Sequence, residues 1–83
     1  MRKASTRILR TVARNVRRLR QEMGLSQEGL ASRCDLHRTF VGSIERAERN
    51  VTLSTLEALS GSLGVSVTDL LTETDNASKT KET

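Results

Sequence analysis

The stretch "SQEGLASRCDLHRTFVGSIER", Ser26 to Arg46, crowds His37, Arg38, Thr39, Ser43 and Arg46 between apolar positions. These types suit hydrogen bonding rather than bond breaking. An Arg side chain is a planar fork of N–H donors, and Thr and Ser each carry a hydroxyl. No carboxylate pair in a pocket, no nucleophile beside a base and no phosphate loop accompanies them, so no catalytic residue and no enzyme activity is expected. His37 has no ligand cluster around it, so neither a metal nor another cofactor is expected. Base edges in the major groove of duplex DNA present distinct donor–acceptor patterns, and the groove admits one α-helix. Arg38 can donate two bonds to guanine O6 and N7, worth about 1–3 kcal/mol against a wrong base. Thr39 can hydrogen-bond or touch a thymine methyl. Ser43 and Arg46 follow one and two turns later on the same side, and Arg46 can equally hold phosphate. His37 has two open roles, a DNA contact or the opening of a helix. Phe40 likewise can press on sugar or thymine methyl, or fill part of the core.

Helices must position these side chains, and the apolar spacing supplies five. Ile8, Leu9, Val12, Ala13, Val16, Leu19 and Met23 recur at steps of three and four, which predicts helix one from Thr6 to about Met23. Gly24 stops it and Ser26 caps the next. Helix two spans Gln27 to about Cys34, with Leu30, Ala31 and Cys34 inward. Asp35 stands where the chain must turn sharply, and Asp tolerates the left-handed conformation. Helix three runs from His37 to about Ala47, with Val41 and Ile44 inward. Helix four runs from Leu53 to Leu63 with Leu53, Leu56, Leu59 and Leu63 as its stripe, capped by Thr52 or Ser54 and ended by Gly64. Ser66 caps a short helix five, Val67 to Leu71. Helices two and three thus read as a helix-turn-helix, with small Ala31 where they cross. Cys34 fills a core slot. Glu45 lies beside the inward stripe, with Arg33 or the next loop as its partner.

Charge agrees with a polyanionic partner. The 83 residues carry a net charge of +4, and residues 1–21 hold eight Arg or Lys and no acid. Residues 51–83 hold five acids and two Lys. A basic pole suits nucleic acid or an anionic membrane surface. No apolar run approaches the ~18 residues of a membrane span, and no apolar segment follows "MRKAST", so neither a span nor a signal peptide is expected. With a single cysteine, Cys34, the composition fits the cytoplasm. Nothing suggests a small-molecule ligand. Residues 1–5 read as a flexible N-terminus, 6–71 as one domain and 72–83 as a disordered tail. A domain this small buries only roughly 60% of its extended-chain surface, so a second copy would stabilise it. Val65, Val67, Leu70 and Leu71 offer more apolar surface than one small core needs. A two-fold contact through them would set two copies of helix three about one DNA turn, ~34 Å, apart.

From Val16 to Leu71 the chain resembles the Cro/lambda-repressor-like (XRE) family of helix-turn-helix regulators. The phrases "GLSQEGLA", "LHRTFVGSIERAERN" and "TLSTLEALSGSLGVSVTDLL" carry the resemblance in order and spacing. Its size and "HRTFVGSIERAERN" look most like the small controller proteins of restriction–modification systems. The resemblance implies an all-α, five-helix domain that binds a near-palindromic operator as a homodimer and regulates transcription. It implies that the start of helix three reads sequence. It implies backbone contacts from Gln27, Arg46, Asn50, Thr52 and Ser54. Arg17 and Arg49 join this set as basic side chains near it, and Arg18 is a further phosphate candidate. Two departures stand out. Asp35 replaces the usual corner Gly, and Ala47 and Val51 replace a common Gly and Pro. The second predicts a different path for the loop that carries Arg49 and Asn50. Two other classes remain open: an antitoxin or protein-interaction module on the same fold, and a basic amphipathic helix on a membrane.

Overall fold

The computed structural model describes residues 4–74, which form five α-helices and no strand. They are α1 (Thr6–Glu22), α2 (Gln27–Cys34), α3 (Arg38–Glu45), α4 (Leu53–Leu63) and α5 (Val67–Leu71). Most starts are capped by a hydroxyl. Ser5, Ser26, Thr52 and Ser66 accept from the backbone N–H of Ile8, Gly29, Thr55 and Asp69. At Ser66 the box is reciprocal, because its own N–H donates to Asp69 Oδ2 at 2.9 Å. That bond, with the Ser66 hydroxyl, holds the Asp69 carboxyl below its ordinary pKa. Its contribution is complete above the unfolded pKa and is lost as pH falls through the folded one.

Helices α1 to α4 all end in the same closure, in which a left-handed residue lets the next N–H reach back five residues. Leu25 donates to Arg20 O, Leu36 to Ala31 O, Glu48 to Ser43 O and Val65 to Ser60 O, at 2.9–3.0 Å. The left-handed residues are Gly24, Asp35, Ala47 and Gly64. Asp35 behaves as its side chain predicts, with φ 56. Ala47 does not take the different path expected of a non-glycine residue. It adopts φ 58 and keeps the turn, so the strain is accepted in the backbone. This closure also ends α3 at Glu45 rather than near Ala47. At its other end His37 is extended and caps the helix from outside.

One core holds the helices together. Val12 and Val16 of α1, Leu30, Ala31 and Cys34 of α2, and Val41 and Ile44 of α3 meet Leu56, Leu59, Leu63 and Leu70. Leu53 is a correction. It was placed on the α4 stripe, but it opens the helix beyond the edge of the core and is 75% exposed. Leu70 is another. Offered to a partner subunit, it is fully buried within its own chain, so it has no surface to give.

The short α5 is held by a residue that periodicity overlooks. Asn15 of α1 is 1% exposed. Its Nδ2 donates to the carbonyls of Asp69, Leu70 and Thr72 at 3.2, 2.8 and 2.9 Å, satisfying the unpaired end of α5. Its Oδ1 accepts from Arg18 and from the Thr74 hydroxyl. The flexible ends expected at 1–5 and 72–83 fall largely outside the described residues. Where the structure describes them they are engaged. Ser5 caps α1, the Ala4 N–H donates to Asn50 Oδ1, and Arg7 pairs with Glu73.

Two stability outcomes follow. Ala47→Gly relieves a left-handed alanine and raises unfolding free energy by about 1 kcal/mol in urea titration. Asn15→Ala strips buried carbonyls of their donor and lowers it by about 2 kcal/mol.

Candidate nucleic-acid interface

The first turn of α3 is bare. Arg38 and Thr39 are exposed. Among the described residues Arg38 makes no hydrogen bond or ion pair, so its donors are available. The exposed His37 accepts the Thr39 N–H on Nδ1 at 3.1 Å. With Nδ1 accepting, Nε2 is the ring nitrogen left to donate. His37 thus opens the helix and keeps a donor, so its two roles are compatible.

Ser43 does not share that surface. It is 6% exposed, its hydroxyl donates to Phe40 O at 2.7 Å, and it accepts from Arg49 Nε at 3.1 Å. The expectation that it faces a base edge is therefore wrong. Helical spacing alone turns Ser43 outward, but the loop after α3 folds back and encloses it. Val41, Gly42, Ser43 and Ile44 are all buried, so the accessible part of α3 shrinks to its start and to Arg46 beyond its end.

A buried ion pair fixes the angle at which α3 is presented. Arg20 of α1 donates from Nε to Glu45 Oε2 at 2.6 Å and from Nη2 to Oε1 at 3.0 Å. The two side chains are 11% and 3% exposed. Glu45 therefore pairs across to α1, not with Arg33. Arg20 Nη1 also donates to Leu25 O at 2.7 Å, which pins the turn into α2. Glu45 Oε1 accepts from Gln27 Nε2 at 3.0 Å. Hydrogen bonding to Glu45 raises the Arg20 pKa above its ordinary value against the opposing effect of burial, with the carboxylate charge adding to the rise. One carboxylate thus ties together α1, α2 and the end of α3.

Gly42 makes room for this arrangement, and sequence reasoning passed over it. A Cβ there would lie 3.1 Å from Arg46 Nη1 and 3.3 Å from Gln27 Oε1. Gln27 and Arg46 therefore converge over the same point of α3, each with polar atoms left for an external group. Arg46 also pairs with Glu48 at 3.1 Å in an exposed contact.

The loop and the start of α4 continue this surface. The Arg49 guanidinium lies 5.1 Å from the Phe40 ring centre, held there by the ring and by Ser43. Phe40 is half-buried against the core, which leaves it as the platform for Arg49. Asn50 is half-buried and accepts from Ala4. Thr52 and Ser54 are exposed, with their hydroxyls 3.1 Å apart at the start of α4. Arg17 is exposed on α1. On the far side, Val65 and Val67 are half-buried and Leu71 is 37% exposed. Cys34 is buried, its Sγ 3.3 Å from the Ser62 hydroxyl. Among the described residues no helix is long and apolar enough to cross a membrane.

Comparison with known proteins agrees with this geometry. A family model described as Helix-turn-helix matches residues 16–70. Over 61 residues the chain is 57% identical to the control protein C.SmaI of Serratia marcescens, covering 74% of this chain and 73% of that one. Over 57 residues it is 51% identical to the control protein C.BamHI of Bacillus amyloliquefaciens, covering 68% and 70%. Among solved structures, it superposes with a TM-score of 0.69 on the restriction–modification controller protein C.Esp1396I. That protein was crystallised as a tetramer with its natural 35 base-pair operator; identity is 36%, covering 76% of this chain and 83% of that one. The chain therefore belongs to the Cro/lambda-repressor-like (XRE) helix-turn-helix family, and within it is similar to the small controller proteins of restriction–modification systems.

Proposed function

We propose that this protein is a transcription regulator that binds a near-palindromic operator as a homodimer and serves as the controller of a restriction–modification system, acting in the cytoplasm. The observation that carries the proposal is the bare first turn of α3, with Arg38 unpaired among the described residues, on a helix locked by Arg20 and Glu45. In this reading Arg38, Thr39 and His37 meet base edges in the major groove. Gln27, Arg46, Arg49, Asn50, Thr52, Ser54 and Arg17 hold phosphates and set register. The start of α2 adds backbone N–H groups and a favourable dipole for a phosphate beside Gln27. Val65, Val67 and Leu71 form the two-fold contact, without Leu70. The similar controller proteins support the regulatory role, and the operator-bound relative supports DNA as the partner.

Binding-site selection tests the assignment. The parent yields paired half-sites about 34 Å apart. Arg38→Ala loses preference at one position of each half-site, worth about 1–3 kcal/mol. Gln27→Ala yields the parent consensus at lower affinity. An unchanged consensus for Arg38→Ala would sink the base-reading role.

A further inference from the structure

Helix α1 carries a second cationic surface. Arg7, Arg10, Arg14 and Arg17 follow at intervals of three, four and three residues, which places them on one helix face, and all four are exposed. That face lies opposite the one that buries Leu9, Val12 and Val16. No acid occurs between Thr6 and Gln21. The other exposed residues of α1 are Thr6, Gln21 and Glu22, so the face lacks the apolar anchors a protein interface is built on. At a rise of 1.5 Å per residue the arginines succeed one another about every 5 Å. Phosphates of one DNA strand succeed one another about every 3.4 Å along the axis. Charge and the lack of apolar anchors therefore fit a phosphate backbone better than a folded partner.

At its C-terminal end the ridge approaches the buried joint that positions the surface already described. Arg17 lies one turn before Arg20, which holds Glu45 at the end of α3. From there the ridge runs toward the start of α1, where the Ala4 N–H meets Asn50 of the loop after α3. Arg10 and Arg17 make no hydrogen bond or ion pair with any described residue, and Arg14 acts on Glu73 through its charge alone. At the far end Arg7 donates to both oxygens of Glu73, at 2.7 and 3.1 Å, in an exposed pair.

We propose that this ridge grips the phosphate backbone of duplex that flanks the site read by α3, with Glu73 masking its outer end. The proposal rests on the operator-binding reading above. Contacts of this kind carry no sequence information and add affinity only where the duplex extends past the half-site and bends toward α1. Glu73 competes with phosphate for Arg7, so the ridge is partly self-screened in the free protein.

Salt titrations on two duplexes test it. One ends at the half-sites; the other adds about one helical turn, 10 base pairs, on each side. On the flanked duplex the Arg10→Gln/Arg14→Gln variant shows a slope of log K against log salt shallower by about 1.8 per protomer. Glu73→Gln, which frees Arg7, shows one steeper by about 0.9 per protomer. On the short duplex all three proteins share one slope, and all three select one consensus. The gain in Glu73→Gln cannot arise from misfolding. An unchanged slope for the double variant on the flanked duplex overturns the proposal, as does an equal loss on both lengths, which would mark diffuse attraction. If selection recovers no site, the operator reading fails separately, and random-sequence duplexes of the two lengths still decide on the ridge.

Discussion

The Arg20–Glu45 pair is the constraint on which the arrangement depends. A buried ion pair is weak evidence for stability, since well-packed apolar residues in its place are often as good. Its value here is geometric. Glu45 receives Arg20 from α1 and Gln27 from α2, while Arg20 also holds the Leu25 carbonyl between those helices. An apolar pair could fill the space but would aim nothing. Removing one partner would leave a charge buried and unpaired, which typically costs about 3–5 kcal/mol. The angle of α3 and the direction of Gln27 are thereby set by the same carboxylate, so in the proposed complex the phosphate contact and the reading helix share one register.

Short helices need hard corners, and the chain uses one corner chemistry throughout. Each of α1 to α4 ends when one residue adopts a left-handed backbone and the next N–H returns to the helix. Isolated helices of eight residues, such as α2 and α3, are not stable in water. They persist because their ends are satisfied and their inner faces meet the core. Asn15 does for α5 what these turns do for the others, by supplying donors from a neighbouring helix. The fold is thus a set of satisfied helix ends around a small Leu- and Val-rich interior.

Much of this is legible in the sequence, and the exceptions share a cause. Apolar spacing located five helices, because a stripe at steps of three and four has one reading. Gly24, Asp35 and Gly64 announce their corners, whereas Ala47 points to a different path, since alanine rarely accepts that backbone. Ser43 and Leu53 were misjudged because a helical wheel knows the helix but not what covers it. Ser43 is closed over by the loop that carries Arg49, and Leu53 lies beyond the core's edge. Leu70 looks surplus to apolar spacing because the residue that draws α5 inward, Asn15, is polar. The partner of Glu45 was missed for the same reason. Residues 20 and 45 are distant in the chain, and only packing brings them together.

Burial of Ser43 has a consequence for how such a protein can be specific. With one turn of α3 available, the proposed reading leaves a protomer about three side chains to set against base edges. A good bidentate contact discriminates by about 1–3 kcal/mol. Specific sites are usually separated from the rest of a genome by about 4–10 kcal/mol. In the proposed reading Arg38 is the one bidentate donor of the three, so one protomer falls near or below the bottom of that range, while two on a palindrome double the discrimination without enlarging the reading surface. Exposed arginines cannot supply the difference, because contacts to phosphate strengthen right and wrong sites alike. A small domain with a short readable helix is therefore driven to symmetry for selectivity and to cationic surface for affinity. The rigid Arg20–Glu45 joint lets both operate from one α1, which anchors the reading helix on one side and presents arginines on the other.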